Sequence, residues 1–279
     1  MPGGRGIVVG RSPGAALVRV FRMPSLPVAA ALALHGTHAL TVDPSRREDL
    51  LEAAWRTARP RGVELLDNGE WLQEWADSGE RVLFVAMPRP GKVTGLPPAL
   101  HPDVMTAVLG DGEVLLGGTT GGLATCRITE FGPIGDRGHL LTWTAYPAPV
   151  LPRHVVEATD LAALSRGLLA AIADTARRLE ALGGAPWRPA DTLPADPITR
   201  PLAVPKSTPA PAILALDRAT RVAALARAGL AIEDSGAALD AATSRERAVI
   251  LRGLLGTAED TIVGATNVAT MVMAGWRPA

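Results

Sequence analysis

The stretch Leu123-Ala124-Thr125-Cys126-Arg127-Ile128-Thr129-Glu130, followed eight residues on by His139-Leu140-Leu141-Thr142-Trp143-Thr144-Ala145-Tyr146, decides the fold. Both arms are short runs carrying β-branched residues, and the segment between them carries Gly132, Pro133, Gly135 and Asp136, so the pair reads as an antiparallel hairpin. With the loop centred between Ile134 and Gly135, Glu130 falls opposite His139 and Cys126 opposite Trp143. A third short run, Glu113-Val114-Leu115-Leu116, precedes them across Gly117-Gly118-Thr119-Thr120-Gly121-Gly122, which extends the hairpin to an antiparallel meander.

Upstream, strands and helices alternate. Thr37 to Val42 reads as a short strand, and Asp43-Pro44 as an N-cap and first-turn proline for a helix over 44–59 with Leu50, Leu51, Ala54, Trp55 and Ala58 on one face. Val63 to Leu66 is a second strand. Asp67-Asn68-Gly69 opens a helix on which Trp71, Leu72 and Trp75 sit together, and Val82-Leu83-Phe84-Val85-Ala86 reads as a buried central strand. Residues 88–103 read as a Pro- and Gly-rich loop.

Downstream of Pro147, Pro149 and Pro152 the composition turns helical. Thr159-Asp160 caps a helix reaching about Leu182, with Leu161, Leu164, Leu168, Ile172, Leu179 and Leu182 inward. Residues 184–212 contain eight prolines and read as a linker or surface strap. A helix over 213–232, a break at Asp234-Ser235-Gly236, a capping box at Thr243-Ser244-Arg245-Glu246 and a last helix to about Ala274 follow. The stripe Leu251, Leu255, Ala258, Ile262, Ala265, Ala269 and Val272 has the spacing of a helix seam, suited to the helix over 213–232 or to a second copy.

The expected fold class is therefore α+β: an N-terminal mixed α/β domain with an antiparallel meander, then a C-terminal Ala-rich helical part. The divisions read as a basic arm (1–23), the α/β domain (24–150), a connecting helix (151–183), the Pro-rich strap (184–212) and a helical hairpin or bundle (213–279).

Residues 1–42 carry Arg5, Arg11, Arg19 and Arg22 and no acid, and Met23 offers a second start codon, so the first residues read as a loose arm or as the product of a start placed too early. The apolar run from Leu26 to Leu34 has two readings. One is an amphipathic helix starting near Ser25, with Pro27 in its first turn and a stop at Gly36. The other is a signal peptide with Thr37-His38-Ala39 at its cleavage site. The helix is preferred, because Pro27 interrupts the run and the basic region before it is unusually long.

Composition narrows function. The 28 basic and 28 acidic side chains balance, mean hydropathy is +0.18, and 47% of the 279 residues are hydrophobic, which excludes a disordered polyelectrolyte and gives no global attraction to nucleic acid. No uncharged apolar run is long enough for a membrane span. The single Cys126 excludes an intrachain disulfide and a cysteine zinc cage, and no Asn-x-Ser/Thr acceptor occurs, so the expected location is cytoplasmic.

No motif brings a cofactor or metal. Gly91-Lys92-Val93-Thr94 lacks the upstream glycine and the hydroxyl after lysine that a phosphate loop needs. The glycine run 117–122 joins two strands and reads as a flexible connection without a helix end for an anion. His35 and His38 lack a third ligand, and Cys126 reads as a core residue. Trp71 and Trp75 share their helix with Glu70, Glu74 and Asp77, which reads as core packing or, if exposed, a partner surface. The expected function is that of a non-catalytic interaction or scaffold protein acting through helix association, with a protein partner or self-association through the C-terminal helices and no nucleic-acid or membrane partner. The alternative is an enzyme whose acid/base pair is Glu130 and His139, with Asp136, Arg137 or Arg127 meeting substrate charge.

Overall fold

The computed structural model describes residues 26–60, 62–66, 69–133, 136–183, 202–233 and 241–278. The architecture is α+β, with a five-stranded mixed sheet in the order β1-β5-β4-β3-β2. The strands are β1 (Val63–Leu65), β2 (Leu83–Ala86), β3 (Val114–Gly117), β4 (Leu123–Phe131) and β5 (Gly138–Tyr146). β2 through β5 form the antiparallel meander, and β1 joins β5 in parallel. The hairpin register is the one its turn implies, with Glu130 paired to His139 and Cys126 to Trp143.

The helices are α1 (Val28–Thr41), α2 (Arg47–Ala58), α3 (Glu70–Asp77), α4 (Pro102–Asp111), α5 (Arg153–Glu157), α6 (Leu161–Ala181), α7 (Ala210–Glu233) and α8 (Ala241–Met273). Asp43 accepts the Ser45 N–H and starts a 3-10 turn, Pro44–Arg46, that leads into α2. Asp160 caps α6 by accepting the Ala162 and Ala163 N–H groups.

α1 differs from its sequence reading in two ways. Every residue from Val28 to Leu34 is buried, so the helix is apolar all round and lies in the core instead of presenting an amphipathic face. It also runs through Gly36, and Thr37–Thr41 are helical where a strand was expected. Gly36 is a point of close approach: a Cβ there would lie 2.6 Å from Leu83 Cδ1, so a larger residue would force the buried Leu83 side chain to shift.

β2 is an edge strand, although its unbroken apolar run reads as central. The run is apolar because both faces are covered: Leu83 and Val85 face a cluster built with α1, α2, α3, α7 and α8, whereas Phe84 and Ala86 face a second cluster with Val104, Val108, Leu151 and Met271. The edge itself is closed by side chains. Thr37 Oγ1 accepts the Leu83 N–H (2.9 Å), Asn267 Oδ1 accepts the Val85 N–H (2.8 Å), and Asn267 Nδ2 donates to the Val85 carbonyl (3.0 Å). An exposed strand edge invites pairing with other chains, and two helices here occupy that edge.

Three further elements depart from the sequence reading. α4 occupies 102–111 within and beyond the expected loop, with Pro102 in its first turn and Gly112 (φ 75°) as its left-handed C-cap. α8 begins two residues before Thr243, so the expected capping box lies inside a helix that the strong helix formers Ala241 and Ala242 extend upstream. α7 begins at Ala210, inside the expected strap. The break at Asp234-Ser235-Gly236, residues 184–201 of the Pro-rich segment and the arm over 1–23 lie outside the described residues. The preceding residues 202–209 lie against α1, where the Ala203 carbonyl meets His35 Nε2 (3.1 Å) and Ser207 Oγ meets His38 Nδ1 (3.0 Å).

The α8 seam is buried within the chain. Ala258, Ile262, Ala265 and Ala269 are fully buried against α1 and α7. Among the described residues no helix is long and apolar enough to cross a membrane.

Replacing Asn267 with Ala removes both bonds to Val85 and leaves a buried N–H and C=O unpaired. The expected loss is about 3 kcal/mol in stability, read as a lower urea midpoint.

Candidate functional site: an aromatic and acidic cleft beside β5

The Glu130–His139 pair forms but stands in the open. Glu130 Oε1 lies 3.6 Å from His139 Nε2, Arg137 Nη1 donates to Glu130 Oε2 (2.9 Å), and the Glu130 and His139 side chains are 57% and 32% exposed. Arg127 is turned elsewhere and pairs with Asp111 (2.6 Å), while Asp136 is exposed in the loop. The structure thus joins Glu130, His139 and Arg137 and leaves Arg127 apart. Cys126 is buried. His35 and His38 each bond to residues 202–209, and among the described residues no group of three or more His, Cys, Asp or Glu could hold a metal. Burial lowers the His35 imidazole below its ordinary range, against the opposing pull of the Ala203 carbonyl.

Lys92 serves packing. The Arg89–Lys92 turn closes on itself through two backbone bonds, and both side chains pair with Asp260 on α8.

The glycine run is a tight cradle, contrary to the flexible connection expected. Glu80, 1% exposed, places its carboxylate inside the run and accepts the N–H groups of Arg81, Val82, Thr119 and Thr120 and the Thr120 hydroxyl. The loop holds an anion without any helix end, because successive backbone N–H groups converge on it. A Cβ on Gly117 would lie 2.2 Å from the Gly121 carbonyl oxygen and 2.7 Å from Glu80 Oε2. Nothing in the spacing of Glu80 to 117–122 signals the contact, since 37 or more residues separate them.

That cradle forms one side of a cleft of about 410 Å³, lined by Trp71, Glu74, Trp75, Ser78, Thr120, Gly121, Gly122, Ala145, Tyr146, Pro147 and Ala148. Its aromatic wall is fixed from behind. Trp71 packs edge-on to Trp75 (4.9 Å between centroids) and touches Trp55 (5.7 Å) and Trp143 (5.6 Å), so the half-buried Trp75 ring rests on a buried aromatic cluster. Gly122 (φ 95°) lies directly beneath Trp75, where a Cβ would approach the ring to 2.6 Å, and its N–H donates to the Ala148 carbonyl (2.9 Å). Within this frame the Glu74 carboxylate and the Trp75 indole N–H make no hydrogen bond among the described residues, whereas Tyr146 lines the cleft from β5 and packs its ring with the cluster on the opposite face of the sheet. Of Trp71 and Trp75, read in the sequence as core packing or, if exposed, a partner surface, Trp71 is buried and Trp75 is half-buried at the cleft wall. Tyr146 and the Gly121–Gly122 floor were not singled out as cleft residues.

These features define an α+β protein with a meander-based sheet, a helical C-terminal part and an open aromatic and acidic cleft. Residues 28–159 match the model of the Rv1486c-like protein N-terminal domain, and residues 162–263 match that of the Rv1486c-like protein C-terminal domain. With both domains present in order, the chain belongs to the Rv1486c-like family, and the two matches meet at Asp160, the N-cap of α6. No curated protein and no solved structure matches the chain.

A second carboxylate holds α1. Glu113 Oε2 accepts the Ala29 N–H (3.0 Å) at a helix start where Pro27 offers no side-chain cap. Burial pushes the Glu113 carboxyl above its ordinary 4.5, against the opposing pull of the α1 N–H groups and Arg227. A carboxyl whose folded value is raised stabilises the fold fully below its unfolded value, and that contribution is lost as pH rises through the folded value. Glu113→Gln keeps an acceptor oxygen without the charge, so its stability relative to wild type is expected to rise between pH 4.5 and neutrality in urea titrations at stepped pH.

Proposed function

We propose that this protein is a non-catalytic interaction protein that binds its partner through the cleft between α3 and the ends of β4 and β5. The observation that carries the reading is the pair of free polar groups, the Glu74 carboxylate and Trp75 Nε1, on walls held rigid by the tryptophan cluster. Rigid aromatic residues with a polar edge bind at low conformational cost. The α8 seam, which motivated association through helices, is consumed within the chain. The exposed large apolar residues Leu169, Leu214 and Val249 each stand on a different helix, which favours the cleft over the helices in this reading.

The enzymatic alternative rests on the Glu130–His139 contact alone. An exposed acid/base pair in high dielectric gains little from its neighbours, and no cleft residue reaches it. Affinity capture from the source cells separates the two. Wild-type protein and a Glu130→Gln/His139→Ala variant are expected to retain the same partner, and a Glu74→Ala/Trp75→Ala variant with an unchanged circular dichroism spectrum is expected to lose it. Retention of every partner by the cleft variant contradicts the proposal, as does a cellular defect produced only by the hairpin variant.

A further inference from the structure

The cleft carries one sign of charge. Among its lining residues the Glu74 carboxylate is the charged side chain, and no Lys, Arg or His stands beside it. Glu74 belongs to α3, which holds Glu70, Glu74 and Asp77 and no basic residue. Ser78, the C-cap of that helix, also lines the cleft, so the carbonyl end of α3 adds its negative field to that of Glu74.

The second feature is a hydrogen-bond donor. The Trp75 indole N–H has no acceptor among the described residues and is not a buried group, so it meets solvent at the cleft wall. Beside it lie Gly121 and Gly122, which have no side chains, and the small apolar surface of Ala145, Pro147 and Ala148. The backbone of a ligand can therefore come close to the indole.

Charge and donor together select the occupant. A small cation alone satisfies Glu74 and leaves the indole N–H without an acceptor. A helix spends its carbonyls internally except in its last turn. A β-strand directs its carbonyls at the strands beside it. A polyproline II segment has three residues per turn, no internal hydrogen bonds and solvated carbonyls throughout, and its proline rings are suited to aromatic walls.

Resting on the interaction reading above, we infer that the cleft takes a proline-rich segment of a partner protein in the polyproline II form, bearing one arginine or lysine. The Trp75 N–H donates to a carbonyl of the segment, a proline ring packs against the indole, and the basic residue pairs with Glu74. Trp71 and Gly122 hold the Trp75 ring in place, and the segment is stiff before it binds, so little conformational freedom is lost on either side.

The test is nitrogen-15 NMR of the full chain, titrated with a nine-residue proline peptide that carries one central arginine. Trp75→Phe identifies the Trp75 indole signal by its disappearance. In wild type that signal is expected to move downfield and saturate as the N–H gains an acceptor. The affinity is expected to fall roughly tenfold on Glu74→Gln, the scale of one lost charge-assisted contact. Glu74 is exposed, so this substitution leaves the fold intact. Replacing the prolines with glycine keeps the charge and removes the preformed helix, and is expected to abolish the shift. An indole signal unmoved at millimolar peptide overturns the inference, as does equal binding of the glycine peptide or equal affinity for the Glu74→Gln protein. If the peptide fails while capture from cells still depends on Glu74 and Trp75, the interaction reading stands and this inference alone falls.

Discussion

A buried side-chain amide pins the helical part to the sheet edge: Asn267 of α8 bonds both the N–H and the C=O of Val85 in β2. A strand at the rim of a sheet carries backbone groups that must find water or a partner, and β2 is too buried for water. Thr37 on α1 takes the Leu83 N–H and Asn267 takes Val85, so the edge is closed only when α1 and α8 both lie along it. The placement of both helices follows. α1 reaches the sheet because Gly36 offers no side chain to Leu83, and α8 then fills both clusters, with Ile262 and Ala265 on one side of the sheet and Val268 and Met271 on the other. The tail continues the second cluster, where Trp276 packs on Phe84 and Arg153 lies over its ring.

Two carboxylates extend the same logic to the loops. Glu113 satisfies the start of α1, and Glu80 gathers the N–H groups of the glycine run. Each replaces water at backbone groups that the fold buries. Glu80 also bears on the cleft. By fixing Thr119 and Thr120 it sets Gly121 and Gly122 under Trp75, so a buried carboxylate supports the floor on which the aromatic wall stands.

Local chemistry was legible in the chain, and contacts across long separations were not. The hairpin register followed from the position of the turn between Ile134 and Gly135, and Asp43 and Asp160 announced their helices because a cap acts within three residues. Pro102 and Gly112 bracket α4 with equally local signals, which the Pro- and Gly-rich surroundings masked. Gly36 misled, since a glycine that ends a helix and one that lets a helix touch a sheet look alike without the partner, Leu83. The edge position of β2 was hidden for a related reason: a strand covered on both faces is uniformly apolar wherever it sits in the order, and Asn267, 182 residues away, gives no local hint of closing it. At the cleft, the sequence exposed the Trp71, Trp75 and Glu74 pattern, whereas Tyr146 and the glycine floor arrived only through the sheet.

The central claim is that closure of the β2 edge makes sheet and helices one cooperative unit. Amide hydrogen exchange in the full chain, followed at Leu83 and Val85 and along the middle of α8, tests it most directly. The account predicts that both β2 amides exchange only through the opening that also releases α8, with the same free energy of opening. Rapid exchange at Leu83 and Val85 while α8 stays protected would contradict it.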